Sequence, residues 1–227
     1  MSKVLGVLGG MGPAATLDFL AKLQAATPVQ REQDHLRVLV DINPKVPDRN
    51  VSTSDPGPVL AAMARGLRDG GAQVLAIACN TAHAYAEEVR ASGLPLVDML
   101  ATAGLAAQAR GATTVGVLGT SLALGLYRER FSHLGLEVVM LDDHEQIEFM
   151  ALLYRIKRGD LGQASRETMA ALALRLVGKG ARAIVAGCTE VPLVLTADDL
   201  PVPFLDATEE LARRCVAVCL GRASEDR

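Results

Sequence analysis

Tryptophan is missing from this 227-residue chain, and aromatic residues make up only 3% of it. A core of this size must then be filled by Ala, Val, Leu and Ile, since half of all residues are hydrophobic. Such side chains suit helices packed tightly over parallel strands that are buried on both faces. No apolar run approaches the ~20 residues of a membrane span. The beginning, MSKVLGVLGG, enters a strand-like run directly, without the charged start and cleavage site of a secretory leader. A cytoplasmic protein is expected. Four cysteines without close paired spacing do not form a disulfide framework. No metal-ligand spacing links His35, His133 or His144 to cysteines or carboxylates, so no metal is expected. A formal net charge of -3 without a basic cluster argues against nucleic acid as a partner.

What is present is a rhythm of short apolar runs and longer helical patterns. Val4–Leu8 reads as a buried strand, and Pro13–Ala26 as a helix with proline in its first turn. Leu36–Ile42 is the next strand. Asn43–Pro58 is a long polar loop, and loops of that length are often functional. A helix over Val59–Gly70, a strand over Val74–Ala78, a helix over Thr81–Ser92 and a short strand at Leu96-Val97 follow. This order predicts an open parallel sheet with helices on both faces.

The pattern then restarts. VGVLGT at Val115–Thr120 echoes LGVLGG at Leu5–Gly10. Ala183–Ala186, followed by Gly187-Cys188-Thr189, echoes Ile77-Ala78-Cys79-Asn80-Thr81. Gly6 lies 73 positions before Cys79, and Gly116 lies 72 before Cys188. Two anchors with nearly one offset indicate an internal duplication. The expected architecture is α/β: two pseudo-symmetric doubly wound parallel-sheet domains with the active site between them. The first would span residues 1–98 plus 207–227, and the second residues 99–206. The last helix, about Thr208–Leu220, would return to the first domain.

Each half places a cysteine just after a strand. Open α/β sheets bind ligands outside the carboxyl ends of their strands. A helix N-terminus beyond the cysteine, capped by Asn80 or Thr81 in the first half, is expected to lower the thiol pKa. In the second half Thr189 would donate to a ligand carboxylate, and Glu190 would orient its neighbours. A single buried cysteine is usually a small hydrophobe. Two at matched strand ends, each beside polar residues, point to chemistry. Acting from opposite sides of one bound molecule, Cys79 and Cys188 would remove a proton from Cα and return one to the other face. Thiols suit this work because their pKa can be tuned near the working pH.

The segments LGVLGGMGPAAT (Leu5–Thr16), NPKVPDR (Asn43–Arg49), ACNTAH (Ala78–His83) and AGCTEV (Ala186–Val191) together resemble the aspartate/glutamate racemase superfamily, in particular its aspartate racemase branch. The resemblance implies a two-domain α/β fold, no pyridoxal phosphate or other cofactor, an amino-acid substrate and a homodimer. It puts the catalytic cysteines on Cys79 and Cys188 and a first-loop site on Met11 and Gly12. It puts α-carboxylate contacts on Asn80, Thr81, Thr120 and Thr189. Arg49 would grip the side-chain carboxylate, with Lys157, in YRIKRGD, in a similar task. A guanidinium in a mobile polar loop can take a carboxylate in a bidentate fork.

Other readings are open on the residues alone. Gly10-x-Gly12-x-x-Ala15 matches a loose dinucleotide fingerprint, although a tight turn around a small anion leaves the cysteine pair in use. Glutamate or a broad set of amino acids would serve the same chemistry, and a non-catalytic amino-acid-binding protein would need the loops but not the thiols. His83 is expected to support the Cys79 thiolate. Cys215 and Cys219, four apart on one helix, are expected to pack in the core.

Overall fold

A computed structural model describes residues 2–51 and 54–224; the expected long loop and the expected first domain run partly outside that range. The chain divides into two compact units, Met1–Thr102 with Thr208–Arg227, and Ala103–Ala207.

The first unit carries β1 (Leu5–Gly9), α1 (Pro13–Ala26), β2 (Val38–Ile42), α2 (Gly57–Asp69), β3 (Val74–Ile77), α3 (Ala86–Arg90) and β4 (Leu96–Val97). All its strand pairs are parallel, in the order β2-β1-β3-β4. Helix α4 (Met99–Ala109) contains the boundary between the units. The second unit holds β5 (Thr114–Leu118), α5 (Ser121–His133), β6 (Glu137–Val139), α6 (Asp143–Lys157), α7 (Gln163–Gly178), β7 (Ala183–Ala186) and β8 (Phe204–Leu205). Its order, β6-β5-β7-β8, is again fully parallel and repeats the first. Helix α8 (Ala207–Cys219) closes the chain and joins the first unit from Thr208 onward. Two parallel four-stranded sheets flanked by helices give the α/β class expected from the strand and helix rhythm. Among the described residues no helix is long and apolar enough to cross a membrane.

The repeat is physical as well as topological. A Cβ at Gly6 would meet Leu75, Ala72 and Leu67 within 3.3 Å. A Cβ at Gly116 would meet Ile184, Leu176 and Ala181 within 3.0 Å. In both units, therefore, the first strand carries glycine where a helix crosses closely over it. Strands β1, β3 and β7 are buried along their whole length, which matches their unbroken apolar sequence.

Several boundaries differ from expectation. Helix α2 starts at Gly57, two residues early, because Pro58 fits the first helical turn. The expected helix over Thr81–Ser92 is a 3₁₀ turn at Thr81–Tyr85 followed by the short α3. The His83 ring explains the break: it folds back onto the carbonyl of Cys79 instead of leaving the turn free to continue as an α-helix.

The turn after β1 is held tightly. The Gly10 N–H donates to Thr16 Oγ1 at 2.9 Å, and that hydroxyl donates to Gly12 O at 3.0 Å. Gly10 has φ +93°, and a Cβ there would lie 2.5 Å from the Asn43 backbone. The glycine is thus required by protein packing, and no pyrophosphate need be invoked for it. Replacing Gly10 by Ala should combine left-handed strain with overpacking and lower the unfolding free energy by roughly 2–4 kcal/mol. Gly71 also has positive φ but faces open space, so Gly71→Ala should cost only the backbone share, about 1–2 kcal/mol. Urea denaturation of the two variants measures the difference.

Candidate active site

Parallel pairing aligns the carboxyl ends of neighbouring strands. In the first unit Leu8 is in register with Ile77, and Ala78 donates its N–H to Leu8 O. The Gly10–Gly12 turn and Cys79 therefore leave the same edge of the sheet. In the second unit Leu118 is in register with Ala186, and the site of a Cβ on Gly119 lies 3.1 Å from Gly187 O. Thr120 and Cys188 thus share an edge as well.

Cys79 is buried, and its sulfur lies 3.3 Å from Thr81 Oγ1. Neither Asn80 nor Thr81 caps the turn with its side chain, contrary to expectation. The Thr81 hydroxyl turns to the thiol instead, where it can donate to a thiolate. His83 is also buried. Its Nε2 accepts from Met99 N–H at 3.1 Å, so the proton sits on Nδ1, which donates to Cys79 O at 2.9 Å. The expected support of the thiolate by His83 is therefore support of the Cys79 backbone. Asp98 takes the next two amides of α4, Leu100 N–H at 2.9 Å and Ala101 N–H at 3.0 Å. The strand–turn carrying Cys79 is pinned to a capped helix start.

Arg49 closes over the first turn. Its guanidinium donates to Met11 O at 3.2 Å and to Pro47 O at 3.0 Å. Its Nε is buried and has no hydrogen-bond partner among the described residues. Met11, whose peptide to Gly12 is cis, is buried in the same apolar cluster as Cys79. The first unit thus gathers Met11, Gly12, Arg49, Cys79, Asn80 and Thr81 at one sheet edge.

The second unit gathers Cys188, Thr189, Glu190 and Lys157 around a single carboxylate. The Cys188 thiol donates to Glu190 Oε2 at 3.0 Å, and Thr189 Oγ1 donates to the same oxygen at 3.3 Å. Lys157 Nζ holds Oε1 at 2.9 Å. Glu190 is 3% exposed. A buried carboxylate needs an opposite charge and hydrogen bonds, and these neighbours supply both. Thr120 caps α5 through Ala123 N–H, and Gln146 donates to Gly119 O, fixing the adjacent turn.

This arrangement overturns one expectation. Burial and the Glu190 charge raise the Cys188 thiol well above its usual range, against a smaller lowering by Lys157. Only a three-residue 3₁₀ turn, Val191–Leu193, follows it, so no long helix offers its N-terminus to the sulfur. Cys188 is a thiol that holds its proton. Cys215 and Cys219 are buried on α8 as expected, and burial lifts the Cys219 thiol to about 11.

Two elements were not singled out from sequence. Thr16 bridges the Gly10–Gly12 turn, and Asp98 caps α4. A helix beginning right after an aspartate was a legible signal for the second.

Residues 8–215 match the Asp/Glu/Hydantoin racemase family. The chain belongs to that family. This racemase is 26% identical to the broad specificity amino-acid racemase RacX of Bacillus subtilis (strain 168), over 97% of the chain and 100% of the relative. Its fold superposes on Picrophilus torridus aspartate racemase with a TM-score of 0.83, at 25% identity, covering 96% of this chain and 94% of the other. It also superposes on the glutamate racemase of Francisella tularensis subsp. tularensis SCHU S4, solved with D-glutamate. That match has a TM-score of 0.71 and 18% identity over 97% and 82% of the two chains, and it speaks for the fold alone. The protein is an isomerase of the racemase type.

The Glu190 contact yields a direct test. In the racemase with its site empty, Cys188 should alkylate slowly at neutral pH. Burial is the largest cause that raises the thiol and the Glu190 charge the next; Glu190→Gln removes that charge, so the alkylation profile of Cys188 should move to lower pH. Peptide mass spectrometry after timed iodoacetamide pulses reads it, and superimposable profiles would refute the assignment. The same shift has a stability sign. Above about pH 9.0 the unfolded thiol ionises while the folded one does not, so this contribution to stability falls as pH climbs.

Proposed function

We propose that this racemase interconverts L- and D-aspartate without a cofactor, with Cys79 and Cys188 as its two acid–base groups. The observation that carries the reading is the pair of free thiols placed after equivalent strands of a duplicated unit, each with a polar proton partner two residues on. In one direction the Cys79 thiolate, steadied by the Thr81 hydroxyl, takes the proton from Cα. Cys188 then gives its own proton to the opposite face. In the other direction Cys188 must act as base. Its proton passes to Glu190 Oε2, and the neutral acid no longer repels the thiolate that forms. That thiolate takes the proton from Cα, and Cys79, in this direction starting as the thiol, gives its own proton to the opposite face and is left as the thiolate. Thr120, Asn80, Thr81 and Thr189 would receive the α-carboxylate, and Met11 and Gly12 would line the first turn.

Arg49 is assigned to the side-chain carboxylate. Its unsatisfied Nε leaves a charge-assisted donor for an anion. Lys157 is assigned to the same end of the substrate less directly, because it already neutralises Glu190. The protein is placed in the cytoplasm as a homodimer, where thiols stay reduced.

A second reading, a broad amino-acid specificity, is favoured by the engagement of Lys157 with Glu190 and by the full-length similarity to RacX. With one of two expected cations neutralised internally, selectivity for an acidic side chain rests on Arg49.

The test is α-proton exchange in D₂O, followed by NMR, on both enantiomers of aspartate, glutamate and a neutral amino acid. Wild type should exchange aspartate with inversion. Cys79→Ser and Cys188→Ser should each lose at least about 100-fold in racemisation. One-sided exchange without inversion in either variant assigns that cysteine to a face. No exchange by the folded, reduced wild type sinks the reading. Arg49→Met should raise KM for aspartate about 10- to 100-fold, the loss of a charge-assisted hydrogen bond, while a neutral substrate is little affected. Equal wild-type kcat/KM on neutral and acidic amino acids decides for the broad reading.

A further inference from the structure

The two units differ in one helix. A Cβ at Gly6 would meet Leu67 of α2, and a Cβ at Gly116 would meet Leu176 of α7. Helix α7 is therefore the counterpart of α2, and α6 is left over. It lies between β6 and α7. At that place, between β2 and α2, the first unit has the polar loop of Arg49 and, among the described residues, no helix. The proton partners differ as well. Cys79 meets the neutral Thr81 hydroxyl, and Cys188 meets the Glu190 carboxylate.

The added helix and the added carboxylate meet each other. Lys157 is the last residue of α6, and its Nζ lies 2.9 Å from Glu190 Oε1. Leu152, Leu153 and Ile156, just before it, are buried in the cluster that also holds Cys188 and Val191. Apolar packing thus anchors the end of α6 beside the turn that carries the thiol. Arg155, on the same helix end, turns to Ser165 Oγ and Asp160.

Charge decides what Lys157 can hold. Its side chain is 24% exposed and that of Glu190 3%. Withdrawing the ammonium towards a substrate would leave the carboxylate with hydrogen bonds from Cys188 and Thr189 but no opposite charge. Breaking a buried pair in that way is strongly unfavourable. Kept in place, lysine and glutamate sum to zero, and a further carboxylate finds no net charge there. Arg49 differs, because its hydrogen-bond acceptors are two backbone carbonyls, which carry no net charge.

We propose that Lys157 is a positioning residue for the second thiol: by holding Oε1 of Glu190 it aims Oε2 at Cys188, and it leaves the side-chain carboxylate of the substrate to Arg49. This role rests on the two-thiol reaction proposed above. With one oxygen fixed by the ion pair, the other stays on the sulfur while the proton moves between them. Misplacing such a partner by about 1 Å can cost about 100-fold in rate.

The test compares Lys157→Met in the wild-type and Glu190→Gln backgrounds, with circular dichroism to check folding. On aspartate, Lys157→Met should lower kcat about 10- to 100-fold and change KM less than about 2-fold, as for a contact that serves the transition state. In the Glu190→Gln background the same change should cost less than about 3-fold more, since the group it acts through is gone. Lys157→Arg keeps the charge and should recover most of kcat. Should Lys157→Met fail to fold, Lys157→Gln keeps a donor to Oε1 and should show the same split between kcat and KM. In the empty site, Lys157→Met should move the alkylation profile of Cys188 to higher pH, opposite to Glu190→Gln. Three outcomes overturn the role: a KM for aspartate raised at least about 10-fold with kcat near wild type, an equal loss of kcat with and without Glu190, or an unmoved alkylation profile. Each of them leaves the two-thiol reaction standing, whereas a folded, reduced wild type that exchanges no α-proton removes both.

Discussion

The chemistry of the second unit depends on one buried carboxylate. A carboxylate taken out of water needs an opposite charge and hydrogen bonds, and every group that supplies them to Glu190 matters to the site. Lys157 supplies the charge on one oxygen, and the Cys188 thiol and Thr189 hydroxyl supply hydrogen bonds on the other. The consequence falls on Cys188: a sulfur facing an anion keeps its proton. Under the proposed reaction this is useful, because a group that must deliver a proton to a carbanion has to hold one at neutral pH. In the proposed reverse direction the same carboxylate would be the acceptor of that proton.

The first unit solves the same problem by a different route. Its sulfur meets a hydroxyl at the position where the second unit has a carboxylate. Rigidity comes instead from the backbone, through His83 between Cys79 O and Met99 N–H and through Asp98 on the next amides. Topology, the crossing glycines and the place of the cysteine were retained across the repeat, whereas the proton partners diverged. Racemisation asks for that combination. Under the proposed two-thiol reaction the two faces of one carbon need equivalent reach, but at any instant one sulfur would be base and the other acid. Unlike neighbours at like positions set the two apart.

Much of this was legible in the chain. The fold followed from apolar runs buried on both faces and from the constant spacing between strand glycine and cysteine. Cys79 and Cys188 stood out because each follows a strand at the end where sheets bind ligands. The ionisation of Cys188 was not legible. Adjacency of Cys188, Thr189 and Glu190 does not say where the glutamate points, and Lys157 lies 33 positions away from its partner. Helix α3 was misjudged for a related reason. Local propensity favours helix through Ala82–Glu88, but a ring contact to the preceding strand end and to a helix sixteen residues on broke it. Side-chain hydrogen bonds across the fold decide such matters, and periodicity does not contain them.

Charge counting then bears on what the site selects. An aspartate brings two carboxylates. If Lys157 were free, two cations would meet the side chain, and a neutral substrate would leave both unpaired at high cost. Under the proposed assignment of Arg49 to the side-chain carboxylate, pairing of Lys157 to Glu190 would leave the penalty for a neutral side chain to the desolvation of Arg49, two of whose donors are already satisfied by Met11 O and Pro47 O. On that proposal, selectivity for acidic substrates would depend on how fully Arg49 is desolvated when the polar loop packs over the first turn. A loop that leaves the guanidinium partly in water would admit many side chains. One that excludes water would make the orphan Nε expensive without an anion and restrict the enzyme to acidic amino acids.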